Sequence, residues 1–203
     1  MRCLVTGGAG FIGSNLVDRL VDDGHDVVIF DDLSTGKTEN VNSKATLVNF
    51  DISRDDYNRI MFDWKYHWEK GFDVVFHLAA KARVQPSIEN PIEFHNTNVN
   101  GTLHLLKACV DYGVKRFVFS SSSSVYGDVE EKNLPTSEES ELNPMSPYAL
   151  HKLIGEQYCK LFSELYGLET ACLRYFNVYG ERQPTEGAYC LVMGVFAQQL
   201  LNG

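Results

Sequence analysis

The chain has 203 residues, with 18 Lys and Arg against 27 Asp and Glu, a net charge of -9 at pH 7 and 44% hydrophobic residues. That length suits one domain with a single large core. The acidic balance, with Lys and Arg scattered along the chain, argues against nucleic-acid backbones and anionic membranes as partners, because both call for basic patches.

The first predicted element lies in Cys3-Leu4-Val5-Thr6-Gly7-Gly8-Ala9-Gly10-Phe11-Ile12-Gly13. A short apolar run breaks into closely spaced glycines, and an amphipathic stretch, Phe11 to Asp22, follows at once. The order reads as strand, tight turn, helix. Glycine at 7, 10 and 13 lets the backbone turn sharply and approach a pyrophosphate with no Cβ in the way. The helix N-terminus offers unpaired N–H groups and partial positive charge to the phosphates. A second strand, Asp26 to Phe30, ends in Asp31-Asp32. An acid at that tip is placed to hydrogen-bond a ribose 2′-hydroxyl and would repel a 2′-phosphate. No Arg follows within the next ten residues, so NAD is expected rather than NADP.

Further strands are predicted at Thr46–Asp51, Asp73–Leu78, Arg116–Ser121 and Glu169–Tyr175, with helices at Asp55 to about Lys70, Pro91–Tyr112 and Pro147–Tyr166. Apolar strands such as Val74-Val75-Phe76 suit a parallel sheet buried on both faces. Alternation with helices gives the α/β class: a doubly wound parallel Rossmann sheet, order 3-2-1-4-5-6, with helices on both faces. The acidic, proline-punctuated loop from Gly127 to Pro147 is expected to run over the surface near the site.

Ligands of such sheets sit outside the carboxyl ends of the strands. The fourth strand delivers His77-Leu78-Ala79-Ala80, whose small residues let a dinucleotide lie close; the fifth delivers Ser120 to Ser124 and the sixth Tyr175-Phe176-Asn177. In the next helix, Ser146 reads as a cap, Pro147 as its first turn, and Tyr148 and Lys152 share a face. A free tyrosine has a pKa of about 10, so roughly one in a thousand is ionised at neutral pH. A nearby ammonium and a cationic nicotinamide would favour the phenolate, and Ser at the strand tip could donate to the same substrate oxygen. The spacing alone is not specific: Tyr66 and Lys70 repeat it on the helix before strand four, where a surface contact is expected, with Trp64 and Trp68 as packing anchors. Position beside the serine strand singles out Tyr148.

The five cysteines (3, 109, 159, 172 and 190) are widely spaced, mostly in apolar stretches, and have no zinc spacing. They read as reduced thiols, and no metal site is expected. A strand beginning at residue 3 leaves no room for a signal peptide, and no apolar run approaches a membrane span, so a cytoplasmic protein is expected.

These segments together resemble an extended short-chain dehydrogenase/reductase of the NAD-dependent nucleotide-sugar epimerase/dehydratase family. The resemblance runs through Thr6 to Gly13, Asp31 to Gly36, Asp51-Ile52, His77 to Ala80, Asn98 to Thr102, Ser120 to Gly127, Tyr148 to Lys152 and Arg174 to Gly180. It implies NAD as cofactor. The implied contacts come from Gly7, Gly10, Phe11, Ile12 and Gly13, then from Asp31, Asp32, Leu33, Ser34, Thr35 and Gly36. Asp51 and Ile52 would meet the adenine. Leu78, Ala79, Ala80, Lys81, Asn98, Ser120, Tyr148, Lys152, Tyr175 and Phe176 would complete the cofactor site. Ser122, Tyr148 and Lys152 would form the catalytic trio, with Ser122, Ser123, Ser124 and Asn177 on the nucleotide sugar. Lys81, where the family often has Gln, and His151, expected to be an exposed helix residue, depart from the pattern.

Family dehydratases and decarboxylases tend to carry an acid between the catalytic hydroxyl and Val-Tyr-Gly; here Ser123-Ser124 stand there. Without a proton-transfer carboxylate, elimination has no agent on this strand. What remains is oxidation and re-reduction at C4, as in UDP-galactose 4-epimerases. The resemblance also implies a homodimer through helices 91–112 and 147–166. Family members usually continue into a smaller C-terminal substrate lobe. The 203 residues are therefore expected to form the NAD-binding Rossmann domain without that lobe, as a truncated or a naturally short form. The alternatives are a non-catalytic NAD(H)-binding module, or a reductase, decarboxylase or dehydratase of the same family.

Overall fold

The computed structural model describes residues 1–54, 71–131, 134–184, 196 and 199–200. Six parallel strands form one sheet among them: β1 (Arg2–Thr6), β2 (Asp26–Asp31), β3 (Thr46–Asn49), β4 (Val74–His77), β5 (Arg116–Ser122) and β6 (Glu169–Tyr175). Their order is β3-β2-β1-β4-β5-β6, as expected. The predicted helix from Asp55 to Lys70, with Trp64, Trp68 and the Tyr66–Lys70 pair, lies outside the described residues.

Strand side chains alternate between faces, and the core divides accordingly. Cys3 and Val5 of β1 join Val27 and Ile29 of β2 under helix α1 (Phe11–Asp22), which contributes Val17 and Leu20. Leu4, Val28, Phe30, Val75, Phe117 and Phe119 point the other way. There they meet Leu105, Leu106 and Cys109 from one helical segment and Cys159 and Phe162 from another. Each fully buried Phe or Leu contributes roughly 1.5–3 kcal/mol of transfer free energy.

The predicted helix Pro91–Tyr112 is present as one helical run, with a π-helical stretch in its middle. A short helix α2 (Val84–Glu89), absent from the sequence reading, precedes α3 (Pro91–His95), a π-helical stretch (Asn96–Gly101) and α4 (Thr102–Asp111). Such π turns commonly sit at functional sites. This one turns Asn98 toward the loop after β4. Helix α5 (Pro147–Tyr166) has the predicted limits, and Ser146 caps it, its hydroxyl accepting from Ala149 N–H at 3.1 Å. At Gly155 a Cβ would lie 2.4 Å from the Phe119 ring, so α5 reaches β5 only because that residue has none. This close approach brings Tyr148 and Lys152 beside the β5 tip. His151 is buried against His95, contrary to the expected exposure, because α5 turns that side toward α3 rather than to solvent.

Candidate active site

The carboxyl ends of β1, β2, β4 and β5 open onto one cleft. At its floor, Gly7 has φ +71°, and a Cβ there would lie 2.8 Å from the Ala79 nitrogen. A Cβ on Gly13 would stand 2.1 Å from the Gly7 carbonyl oxygen. Both glycines are therefore required by close backbone approach, and the turn hands its direction to α1. Gly10, Phe11 and Ile12 line the same wall.

Asp31 is buried at the end of β2. One carboxylate oxygen accepts from Ala9 N–H at 2.9 Å and the other from Leu33 N–H at 2.9 Å. Burial pushes its pKa up, and the two amides oppose that shift. The carboxylate thus ties the glycine turn to β2 and keeps lone pairs free for a further donor. Asp32 is exposed and holds Ser34 through the Ser34 N–H (2.9 Å) and hydroxyl (2.6 Å). Asp31, Asp32, Ser34, Thr35, Asp51 and Ile52 all line the cleft, as does Phe50. Leu33 and Gly36 shape the loop behind it: a Cβ at Gly36 would meet Asp31 Oδ1 at 2.6 Å.

On the β4 side the cleft is lined by Leu78, Ala79, Ala80 and Lys81, with Ala82 and Thr97 beyond the sequence reading. Asn98 does not line it. Its side-chain carbonyl accepts from Lys81 N–H at 2.8 Å, and its NH2 donates to the Lys81 carbonyl at 2.9 Å. Both ends of the amide are spent on one residue's backbone, so Asn98 holds the loop rather than facing the cleft. Lys81 points its ammonium at Glu93, 2.9 Å away.

At the far end stand Ser120, Ser121, Tyr148, Lys152 and Tyr175. Lys152 is buried; its ammonium donates to the Ser120 carbonyl at 2.7 Å and lies 5.9 Å from the centre of the Tyr148 ring. Burial pushes its pKa down to about 8. Burial pushes Tyr148 up, and a hydrogen bond with Ser122 acts in the opposite direction. Enclosure of Tyr148 therefore works against the phenolate that the sequence led us to expect, and Ser122 works for it.

A second hollow adjoins the first, sharing Phe11, Ile12, Ser121, Tyr148 and Tyr175, and adding Ser122, Phe176 and Asn177. Tyr148 thus belongs to the wall between the two. Ser122 ends β5 and accepts from Ser124 N–H (3.2 Å) and the Ser124 hydroxyl (2.9 Å). Ser124 therefore steadies Ser122, and neither Ser123 nor Ser124 lines either hollow. Arg83, unremarked in the sequence, lines the second hollow with φ +94°, a conformation that non-glycine residues rarely adopt. Nothing in its neighbourhood in sequence signals this.

Residues 3–203 match the NAD dependent epimerase/dehydratase family. The chain belongs to that family. It is 43% identical to a UDP-glucose 4-epimerase from Mycolicibacterium smegmatis over 209 aligned residues, covering 100% of this chain and 64% of the relative. Among solved structures it resembles a UDP-glucose 4-epimerase with UDP-glucose from Thermotoga maritima, with 41% identity, TM-score 0.90, and coverage of 100% of this chain and 63% of the other. It also resembles a UDP-glucose 4-epimerase complex with NAD from Thermus thermophilus, with 39% identity, TM-score 0.85, and coverage of 98% and 61%. The chain thus spans somewhat under two thirds of the length of these family members.

Proposed function

We propose that residues 1–203 form the NAD-binding Rossmann unit of a nucleotide-sugar 4-epimerase, with NAD in the first cleft and the sugar in the second hollow. The observation that carries this reading is Tyr148 in the wall common to both, with Ser122 at its hydroxyl and Lys152 one turn along α5. The glycine turn fits a dinucleotide, since a Cβ at Gly7 or Gly13 would collide with backbone in its floor. Asp31 and Asp32 at the β2 tip suit a ribose with free hydroxyls. When bound, the nicotinamide supplies a reversible hydride acceptor at C4 of the sugar.

The chain's own residues have separate tasks. Tyr148, as its phenolate, takes the proton of the sugar 4-hydroxyl and returns it to the same oxygen when the opposite epimer forms, while Ser122 donates a hydrogen bond to that oxygen. Lys152, anchored on Ser120, places positive charge near the phenol. Asn177, in the second hollow, is suited to the diphosphate. Ser123 and Ser124 offer no carboxylate for eliminating water, which favours epimerisation over dehydration.

The test is incubation of purified protein with NAD and UDP-galactose or UDP-N-acetylgalactosamine, followed by separation of the sugars. Conversion to the 4-epimer is expected; bound NAD with no epimerised sugar would overturn the reading. We further propose a cytoplasmic homodimer through helices 91–112 and 147–166. Ile92, Leu150, Leu161 and Leu165 are exposed there, a surface fit for burial against a second copy. Sedimentation of a monomer at micromolar concentration would sink the dimer.

A further inference from the structure

Strands β5 and β6 pair in register, with Arg116 opposite Glu169 at one end and Ser121 opposite Arg174 one pair short of the other. Each end carries an ion pair, and the two pairs differ in kind. Arg116 meets Glu169 at 2.7 Å with both side chains more than half exposed, an arrangement that fixes little. At the cleft end Arg174 turns to α5. Its Nε and Nη2 donate to the two oxygens of Glu156 at 2.9 and 2.7 Å, and the Glu156 side chain is only 10% exposed. The same Glu156 Oε1 accepts from the Ser121 hydroxyl at 2.5 Å. The remaining arm, Nη1, donates to the Tyr126 hydroxyl at 3.0 Å and to the Glu138 carbonyl at 2.8 Å.

One guanidinium therefore binds together β6, α5, the turn after β5 and the acidic loop, and reaches β5 through Glu156. Neither Glu156 nor Arg174 lines the cleft or the hollow. Ser121 lies between the two serines that face the proposed chemistry. The carbonyl of Ser120 holds the Lys152 ammonium, and the hydroxyl of Ser122 meets Tyr148. Sheet pairing ends at Ser122 opposite Tyr175, where the backbone passes into a 3-10 turn (Ser123–Tyr126). The ladder holds Ser120–Ser122 to β6 but not to α5, and a planar bidentate fork between β6 and α5 can make that second link.

We infer that the Glu156–Arg174 pair is a positioning unit, which holds the Ser120–Ser122 tip at the separation from α5 that lets Ser122 meet Tyr148 and Ser120 meet Lys152. The inference rests on the reading of Tyr148 as the proton-transfer group. Packing of α5 on the sheet is already secured by Gly155 against Phe119, beside the pair, and by Cys159 and Phe162 further along the helix. The ion pair adds the orientation of the tip.

The test follows the ionisation of Tyr148 by NMR in protein labelled with 13C at the tyrosine ring carbon bearing the hydroxyl, the resonance being assigned with Tyr148→Phe. Three variants are compared with the parent: Glu169→Gln, Arg174→Lys, and the double change Glu156→Leu with Arg174→Met. The last removes the charges together and leaves no buried ion unpaired. Glu169→Gln, which breaks the outer pair on the same two strands, is expected to leave the Tyr148 curve unmoved. The other two are expected to move it to higher pH, since a displaced Ser122 no longer supports the phenolate. They are also expected to lower kcat about tenfold with KM within about twofold. Unchanged Tyr148 ionisation in folded Arg174→Lys and double variants would overturn the proposal. So would an equal shift in Glu169→Gln, or a shift seen only where near-ultraviolet dichroism shows lost packing. If the parent protein binds NAD and fails to epimerise, the functional reading falls, while the Tyr148 curves still decide the positioning role.

Discussion

Thr6 and His77 share a buried hydrogen bond of 2.7 Å within a chain of hydrogen bonds running from the β4 loop to the π-helical turn. The Thr102 hydroxyl spends its single proton on the main-chain carbonyl of Asn98 (2.7 Å), so it accepts from His77 Nε2 (2.9 Å), which carries the ring proton. In the neutral ring Nδ1 is then the acceptor, and the Thr6 hydroxyl donates to it while accepting from Ala79 N–H (3.1 Å). Asn98 in turn holds Lys81. A neutral ring is built in, and burial pushes His77 down to about 3.

His77 is therefore expected to show one tautomer, protonated at Nε2, with no titration between pH 8 and 5 by 15N NMR. In the unfolded chain the ring titrates near 6.5, so below that pH the unfolded state binds a proton that the folded state refuses. Stability is complete above about 6.5 and falls as pH drops toward about 3, at up to roughly 1.4 kcal/mol per pH unit from this group. Chemical denaturation at several acidic pH values checks the slope, and His77→Phe should flatten it. That variant should also lose about 1–3 kcal/mol for each hydroxyl left without a partner.

Gly13→Ala should damage the cofactor cleft more than its size suggests. The added Cβ would stand 2.1 Å from the Gly7 oxygen, so either the turn or the start of α1 must move. NAD affinity should fall at least tenfold, about 1.4 kcal/mol, by fluorescence or calorimetric titration.

Tyr148→Phe keeps the ring against Lys152 and removes the proton-transfer oxygen. We expect kcat to fall about 10²–10⁴-fold while NAD affinity stays within about threefold, measured by sugar separation and by titration. Ser122→Ala should show a smaller loss of the same kind.

Lys152 provides an alkaline signature. Its ammonium is lost near pH 8 in the folded protein against 10.5 when unfolded, so turnover should decline above about pH 8. Between 8 and 10.5 the unfolded state binds more protons, so this group's contribution to stability rises with pH across the same window. Rate profiles and thermal melts should therefore diverge there. Parallel decline would argue against Lys152 as the titrating group.

Among the described residues Cys172 is the exposed free thiol, while Cys3, Cys109 and Cys159 are buried. A hydrogen bond from Cys159 lowers its pKa, whereas Cys159 itself is raised. Mass spectrometry after brief alkylation of the native protein should find Cys172 modified ahead of those three.

Much of this was legible in the residues themselves. Glycines at 7, 10 and 13, the acid at the end of β2, and the alternation of apolar strands with amphipathic helices are local patterns, and each reflects a local constraint of turn, cap or period. They set the sheet order and the end of the sheet where ligands bind. Pairing Tyr148 with the serine strand rather than trusting a four-residue spacing also needed only chain order.

Other features depended on contacts between segments far apart in sequence. The π-helical turn within Pro91–Tyr112 goes with Asn98 reaching Lys81, and the burial of His151 with the placement of α3. Tyr148 has its pKa raised by enclosure, a quantity no spacing encodes. Glu156 and Arg174, 18 residues apart, meet only once α5 has packed beside β6. The sequence by itself thus determined the fold and the chemical groups available, because period and turn chemistry act over a few residues. Only the tertiary structure decided which of those groups face the cleft and which brace it, because burial and hydrogen-bond partnership are properties of neighbours brought together by folding.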